Sequence, residues 1–257
     1  MKAPSFAYAK PRSLAEAFEL LERPGAKILA GGQSLIPSLN LRLSSPELLV
    51  DITAIEGLKG ISLKNGTLRV GALCTHTQVE RSAEVSEHLP LVAEAVSHIA
   101  HPAIRNRGTL GGSLALADPA AELPACAVAL DAVLVVAAKK GERRVSAADF
   151  FKGLFETDLK SGEILVGAEF PKAGKSVFLE LARRQGDYAI VGLAAVSRSN
   201  EKRIAFFGLG SKPVLLKPKS LEEAKKSLPV PAADLYHSAS TKLHLAKVLL
   251  ERAWNSL

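Results

Sequence analysis

The stretch LAGGQSLIPSLNLRL, residues 29–43, limits what this chain can fold into more tightly than any other. An apolar run stops at Gly31 and Gly32, passes Gln33 and Ser34, and turns at once into a helical pattern. A bare turn needs one residue able to adopt positive φ. Paired glycines followed by small polar side chains suit a backbone that another group must approach closely. A second stretch, HPAIRNRGTLGGSLALADPAAELP at 101–124, repeats the device, with Gly111 and Gly112 beside Thr109 and Ser113. Each loop can present backbone N–H groups to an anion, and each leads into a candidate helix whose positive end adds to the attraction. Either loop alone also reads as a flexible turn; the two together point to a clamp for a diphosphate.

Competing nucleotide motifs fail on spacing. No GxGxxG follows a strand, so the dinucleotide fingerprint of a doubly wound sheet is missing. GKS at 174 resembles the end of a phosphate-binding Walker loop, but Glu169 occupies the place of its leading glycine. Metal chemistry is equally unsupported. The two cysteines, Cys74 and Cys126, form no CxxC pair, and the six histidines form no HExxH or HxH arrangement. An iron–sulfur cluster normally takes four cysteine ligands, so this chain cannot hold one by itself.

With 47% apolar and 23% charged residues the chain reads as globular. Its longest apolar run, LPACAVALDAVLVVAA, is interrupted by Asp131 and too short to span a bilayer, so no membrane span is expected. The start, MKAPSFAYAKPRS, lacks the apolar core of a secretion signal, which makes the cytoplasm the expected location. The net charge of +7 raises the possibility of a nucleic-acid partner. The basic residues are nevertheless scattered, with no zinc finger or RNP-like motif among them, and a solvated basic surface is the better reading.

Ser13 with Glu16 three residues on marks a capping box opening a helix, SLAEAFELLER. KILAGG reads as a short buried strand, LIPSLNLRL as a helix with Pro37 in its first turn, and LLVDI as a strand. NG at 65 sits between alternating runs and predicts a hairpin. TQVERSAEVSEHLPLVAEAVSHIA has helical periodicity. AAELPACAVAL and DAVLVVAA give another helix and strand, and GEILVGAEFP a further strand. Beyond PKAGKS the pattern changes: VFLELARR, IVGLAAVSRS and RIAFFGLG read as successive antiparallel strands, and SLEEAKKSL and STKLHLAKVLLERAWNS as helices. A boundary is expected near 173, between an N-terminal part mixing helices and strands and a small C-terminal sheet covered by helices.

Three stretches, AGGQSLIPSLNLRL, TLGGSLALADPAAELP and LARRQGDYAIVGLAAV, resemble in order and spacing the FAD-binding medium subunit of the molybdenum hydroxylases, the group of aerobic carbon monoxide dehydrogenase and xanthine dehydrogenase. The resemblance covers nearly the whole chain. It implies an α+β, vanillyl-alcohol-oxidase-like (PCMH-type) fold in which two subdomains, about 1–53 and 54–173, grip FAD. A C-terminal domain of antiparallel sheet plus helices follows over 174–257. By the same resemblance Ala30, Gly31, Gly32, Gln33, Ser34 and Leu35 form the first loop around the FAD diphosphate, and Thr109, Gly111, Gly112 and Ser113 the second. Ile104 and Arg105 sit in the matching loop, and a helix cap or a pair with a carboxylate is an equal reading for Arg105. Glu122 stands where relatives, often with Asp, reach the ribityl hydroxyls. Tyr188, preceded by Asp187, resembles the side chain beside the isoalloxazine, and Leu165 an apolar residue of the adenine or flavin pocket. The plain alternative for Tyr188 is a strand aromatic packed in the core. His76 is read as structural, and Cys74 and Cys126 as core residues.

The resemblance further implies partners. A large subunit oxidises substrate at a molybdenum–pterin centre, a small subunit carries electrons through two [2Fe-2S] clusters, and the flavin of this chain takes them on to an external acceptor. The assembly expected is a dimer of heterotrimers. No nucleophile or general base is required of this chain, in keeping with the lack of a Ser/His/Asp or Cys/His constellation. A stand-alone FAD-dependent oxidase or reductase is the competing reading. It would call for substrate-side residues, whereas aromatics are only 5% of the chain and no His or Cys stands where such oxidases attach flavin covalently.

Overall fold

A computed structural model describes residues 2–257. The first layer is a small parallel sheet of β1 (Ala7–Ala9), β2 (Ala26–Leu29) and β3 (Leu48–Asp51), in the order β1-β3-β2, with α1 (Leu14–Leu21) and α2 (Leu35–Asn40) between them. Ser13 caps α1 by accepting the Glu16 N–H at 3.2 Å, while the Glu16 carboxylate turns back to the Arg12 N–H rather than to Ser13. The expected buried strand at KILAGG is only half-buried, because β2 lies at the edge of its sheet. The helix after it is shorter than its apolar pattern: α2 ends at Asn40 and Arg42 takes a φ of 57°.

A five-stranded antiparallel sheet follows. β4 (Ile61–Lys64) and β5 (Thr67–Gly71) form the expected hairpin, and Asn65 and Gly66 both have positive φ, as a primed turn requires. The helical run after them is not one helix. It breaks into α3 (His76–Arg81), α4 (Ala83–His88) and α5 (Pro90–His98), because Ser82 leaves helical geometry to cap α4 and Pro90 opens α5. α6 (Pro102–Arg105), α7 (Leu110–Leu116) and α8 (Glu122–Ala129) complete a helical layer. β6 (Val133–Ala138), β7 (Gly141–Ser146), α9 (Ala147–Phe150), a small hairpin of β8 (Phe151–Gly153) and β9 (Glu156–Thr157), and β10 (Ile164–Pro171) bring the chain back, with sheet order β4-β5-β10-β6-β7.

The last part is a four-stranded antiparallel meander, β11 (Lys175–Ala182), β12 (Ala189–Arg198), β13 (Glu201–Phe207) and β14 (Val214–Leu216), followed by α10 (Leu221–Lys226) and α11 (Ala239–Ser256). Strand alternation explains how the layers join. On β12, Val191, Leu193 and Ala195 pack with the C-terminal helices, while Ala194 and Val196 face the core that contains α5 and α8. β6 divides in the same way, Leu134 and Val136 toward the helical layer and Val135 and Ala137 toward the first sheet. Strands buried on both faces read in sequence as unbroken apolar runs.

The link between the C-terminal sheet and the helical layer is polar. Buried Arg203 on β13 donates to the Val128 carbonyl at 2.9 Å and the Ala129 carbonyl at 3.0 Å, and to Asp131 Oδ1 at 2.9 Å. It satisfies the last carbonyls of α8, which no later residue of the helix can reach. Arg203→Met keeps the apolar stem and leaves those acceptors without their charged donor. We expect it to lower unfolding free energy by about 3 kcal/mol, measured by urea titration with Trp254 fluorescence.

Candidate functional site

The two glycine loops meet at the backbone. A Cβ on Gly31 would lie 2.1 Å from the Arg107 carbonyl oxygen and 2.9 Å from the Gly108 Cα, so any side chain there would force the loops apart. Gly111 is held as tightly by the β5–α3 connection, where an added Cβ would lie 2.5 Å from the Ala72 Cβ. A third contact brings in the chain before β12. Gly186, with φ +82°, sits where a Cβ would lie 2.5 Å from the Ala100 carbonyl oxygen, so the 183–188 turn leans on the segment between α5 and α6.

These approaches enclose a cavity of about 550 Å³. Its wall contains every residue expected from sequence: Ala30 to Leu35 from the first loop, and Thr109, Gly111, Gly112 and Ser113 from the second, together with Ile104, Glu122, Leu165, Asp187 and Tyr188. Tyr188 is not a core strand aromatic, since it is 76% exposed in the turn ahead of β12. Arg105 is occupied elsewhere, paired with Glu80 at 3.0 Å and bonded to the Ile99 carbonyl. Sequence reading passed over Gly108, Asp118 and Gly186, all inside the quoted motifs. It also passed over Lys27 and Leu159, which no motif marked and which only the fold brings to the wall.

The two loops are chemically unequal. Among the described residues, the N–H groups of Gly32, Gln33, Ser34 and Leu35 have no acceptor, and Gly32 has φ +74°. Consecutive free N–H groups form a concave donor set suited to an anion. The second loop departs from the expectation, because its donors are spent. The Gly111 N–H goes to the Ala72 carbonyl, that of Gly112 to Thr109 Oγ1 at 3.0 Å, and that of Ser113 to the Thr109 carbonyl. What it offers instead is two glycine surfaces without side chains and the Ser113 hydroxyl.

The acidic side of the cavity has unusual electrostatics. Glu122, the first residue of α8, is buried with no Lys or Arg partner among the described residues. Burial, and then the nearby Glu180 and Asp118 charges, push its carboxyl up to about 8, against a bond from its own backbone that pulls it down. Burial also raises Asp118. His76 is buried with neither ring nitrogen hydrogen-bonded, and burial holds it down to about 4, so it is neutral at physiological pH. Cys74 and Cys126 are buried free thiols.

The donor set fits a dinucleotide. Free backbone N–H groups suit a diphosphate, glycine surfaces let it lie against the chain, and an acidic wall suits hydroxyl groups. Fold and site thus define a class, a binding protein for a large, partly anionic cofactor. The family is shown directly by comparison: residues 4–173 match the model of the FAD binding domain in molybdopterin dehydrogenase, and the chain belongs to that family. It is 43% identical to the 6-hydroxypseudooxynicotine dehydrogenase complex subunit alpha of Paenarthrobacter nicotinovorans, over 82% of this chain and 75% of that one. It is 34% identical to the carbon monoxide dehydrogenase medium chain of Hydrogenophaga pseudoflava, over 100% of this chain and 98% of the other. A chain of quinoline 2-oxidoreductase from Pseudomonas putida 86 superposes with a TM-score of 0.93 at 38% identity, covering 100% of this chain and 98% of that one. The mixed helix and sheet architecture is that of these oxidoreductase subunits, and its cofactor is FAD. Among the described residues no helix is long and apolar enough to cross a membrane, and no cluster of metal-ligating side chains occurs.

Glu122 makes a pH prediction. Its folded value of about 8 lies above the ordinary 4.5, so the folded chain keeps a proton that the unfolded chain has lost. Stability of the FAD-free chain is therefore highest below the ordinary value and falls as pH rises through the raised one. Glu122→Gln stays neutral throughout and is expected to remove that fall, about 4 kcal/mol between about pH 5 and about pH 9, read from urea midpoints.

Proposed function

We propose that this chain is the flavoprotein component of a molybdenum hydroxylase complex, holding FAD between its two glycine loops. The observation that carries the residue assignment is the row of unbonded N–H groups from Gly32 to Leu35, on residues that line the cavity, beside a glycine contact that admits no side chain. In this reading those donors bind the diphosphate, Gly111 and Gly112 let it lie close, and Ser34 and Ser113 add hydroxyl donors. Glu122, neutral through burial, can both donate to and accept from ribityl hydroxyls. Leu165 and Ile104 give apolar contact, and Tyr188 with Asp187 covers the ring system from the 183–188 turn. Bound FAD supplies two-electron chemistry that can be entered one electron at a time.

The finer architecture belongs to the same proposal. Two PCMH-type subdomains, about 1–53 and 54–173, contribute one loop each, and residues 174–257 form a separate C-terminal domain. The complex contains a small subunit with [2Fe-2S] clusters and a large subunit with molybdenum–pterin, as a dimer of heterotrimers in the cytoplasm. Relatives named as medium, alpha and beta subunits of dehydrogenases support a multisubunit setting. That setting places substrate choice outside this chain. It also weighs against a stand-alone oxidase.

Purification of the full chain tests the reading. A visible flavin absorption spectrum is expected, with FAD released on heating. Gly32→Val strains a left-handed residue and crowds Ile36, and Gly112→Val displaces the Thr109 cap from 2.8 Å. Each is expected to weaken FAD binding roughly 100-fold, about 2.7 kcal/mol, by fluorescence titration. A folded chain that takes up no added FAD would overturn the proposal.

A further inference from the structure

A second, smaller cavity of about 130 Å³ shares no wall residue with the flavin cavity. Its wall is the Lys59–Gly60 segment that enters β4, with Gly57 before it, together with Ile61 and Ser62 of β4 and Arg69 and Gly71 of β5. The sheet admits that segment because of one glycine: a Cβ on Gly71 would lie 2.5 Å from the Leu58 carbonyl oxygen. Gly60 has φ +92° and open space where a Cβ would stand, so no side chain of its own fills the cavity.

Among the described residues the wall carries two cations, Lys59 and Arg69, and no carboxylate. Arg69 is half-buried, and its guanidinium has neither a hydrogen bond nor an ion pair among the described residues. The carboxylate placed to serve it is Glu169, directly opposite on β10. Arg144 takes both oxygens of that carboxylate, its Nη1 3.0 Å from Oε1 and its Nη2 on Oε2. Arg69 Nε lies instead over Gly167, 3.6 Å from where a Cβ would stand. Lys59 does have a partner, Glu56 at 2.7 Å, but Glu56 is exposed and outside the wall, and the ammonium keeps two further donors. The Gly60 N–H has no acceptor among the described residues. Gly71 donates to the Gly60 carbonyl at 2.9 Å, but the Gly71 carbonyl is turned to the Cys74 N–H, so the return bond is missing. Ser62, opposite Arg69, adds a hydroxyl.

We infer that this cavity binds a small oxyanion, a phosphate group either free or at the end of a larger molecule, between Arg69 and Lys59. The guanidinium fork suits two oxygens of a phosphate, the ammonium adds a point charge, and the Gly60 N–H and Ser62 hydroxyl supply further donors. Packing does not account for the arrangement. A half-buried guanidinium beside a second cation, with no acceptor of its own, is unfavourable until an anion joins it. The local charges agree. Arg144 and Glu169 neutralise each other, as do Lys59 and Glu56, which leaves Arg69 as the unanswered charge. The inference stands apart from the FAD reading, since neither the cavity nor its donors belong to the flavin site.

The test is a titration of the full chain with inorganic phosphate at constant ionic strength, followed by phosphorus NMR line broadening. Saturable broadening is expected. Arg69→Met is expected to weaken binding at least about 10-fold, and Lys59→Met about 3- to 10-fold. Lys140→Met removes the same charge from the exposed β6–β7 turn and is expected to change binding less than about twofold. Lys59→Met, at an exposed position, keeps the test valid if the Arg69 variant folds poorly. Glycerol 3-phosphate separates the two sources: tighter binding than inorganic phosphate marks a terminal phosphate, and equal or weaker binding marks the free ion. The first loop also presents donors to an anion, so Gly32→Val is titrated in parallel and is expected to bind phosphate as the unmodified chain does. Binding lost in Gly32→Val and kept in Arg69→Met would overturn the inference, and so would the absence of saturable binding to the unmodified chain.

Discussion

The cavity depends on one close contact, Gly31 against the Arg107–Gly108 backbone. Strand β2 and the first loop belong to one sheet, and α6, α7 and the second loop belong to the helical layer. Their backbones touch only because Gly31 has no Cβ, which would lie 2.1 Å from a carbonyl oxygen. A tenth of a nanometre of separation there would move the free N–H groups of Gly32 to Leu35 away from the rest of the wall. Two further glycines repeat the constraint: Gly111 against Ala72 and Gly186 against Ala100. Backbone approach, rather than side-chain packing, gives the site its shape.

The donor inventory gives the two loops a division of labour that their similar sequences conceal. Thr109 uses its hydroxyl to cap α7, and Ala72 and Cys74 accept the Gly111 and Leu110 N–H groups, so the second loop is internally complete. A complete loop is a rigid surface. The first loop is incomplete, with a left-handed Gly32 and donors that have no acceptor among the described residues. These donors lie in half-buried to exposed positions and are left to solvent, so an anion placed there would gain hydrogen bonds that the second loop has no free donors to give.

Much of this was legible in sequence because its causes are local. Asn65-Gly66, Ser13 and the glycine pairs each carry their own conformational requirement, and the long motifs placed the loop residues on one wall. The periodicity from 77 to 100 marks helix but not its two breaks at Ser82 and Pro90, because apolar periodicity continues across breaks that capping decides. β7, GERRVS, gave no strand signal, since its pairing with β6 and not its own charged residues holds it extended. Lys27 and Leu159 reach the cavity through topology alone. Donor accounting was likewise out of reach, because the acceptors at Ala72 and Cys74 lie more than thirty residues before the loop they complete.

Helix α8 joins the two halves of the molecule electrically as well as mechanically. Every residue of it is buried. Its C-terminal carbonyls are taken by Arg203 from the C-terminal sheet, so its negative end is satisfied by a cation. Its N-terminal residue is Glu122, a carboxyl that the helix dipole would ordinarily help to ionise. Burial beside Glu180 and Asp118 outweighs that help and keeps the proton on at neutral pH. A carboxyl balanced between a dipole favouring its charge and a dry, acidic setting opposing it changes protonation with a small change in nearby charge. A cofactor whose own charge alternates with its redox state is the kind of neighbour to which such a group responds.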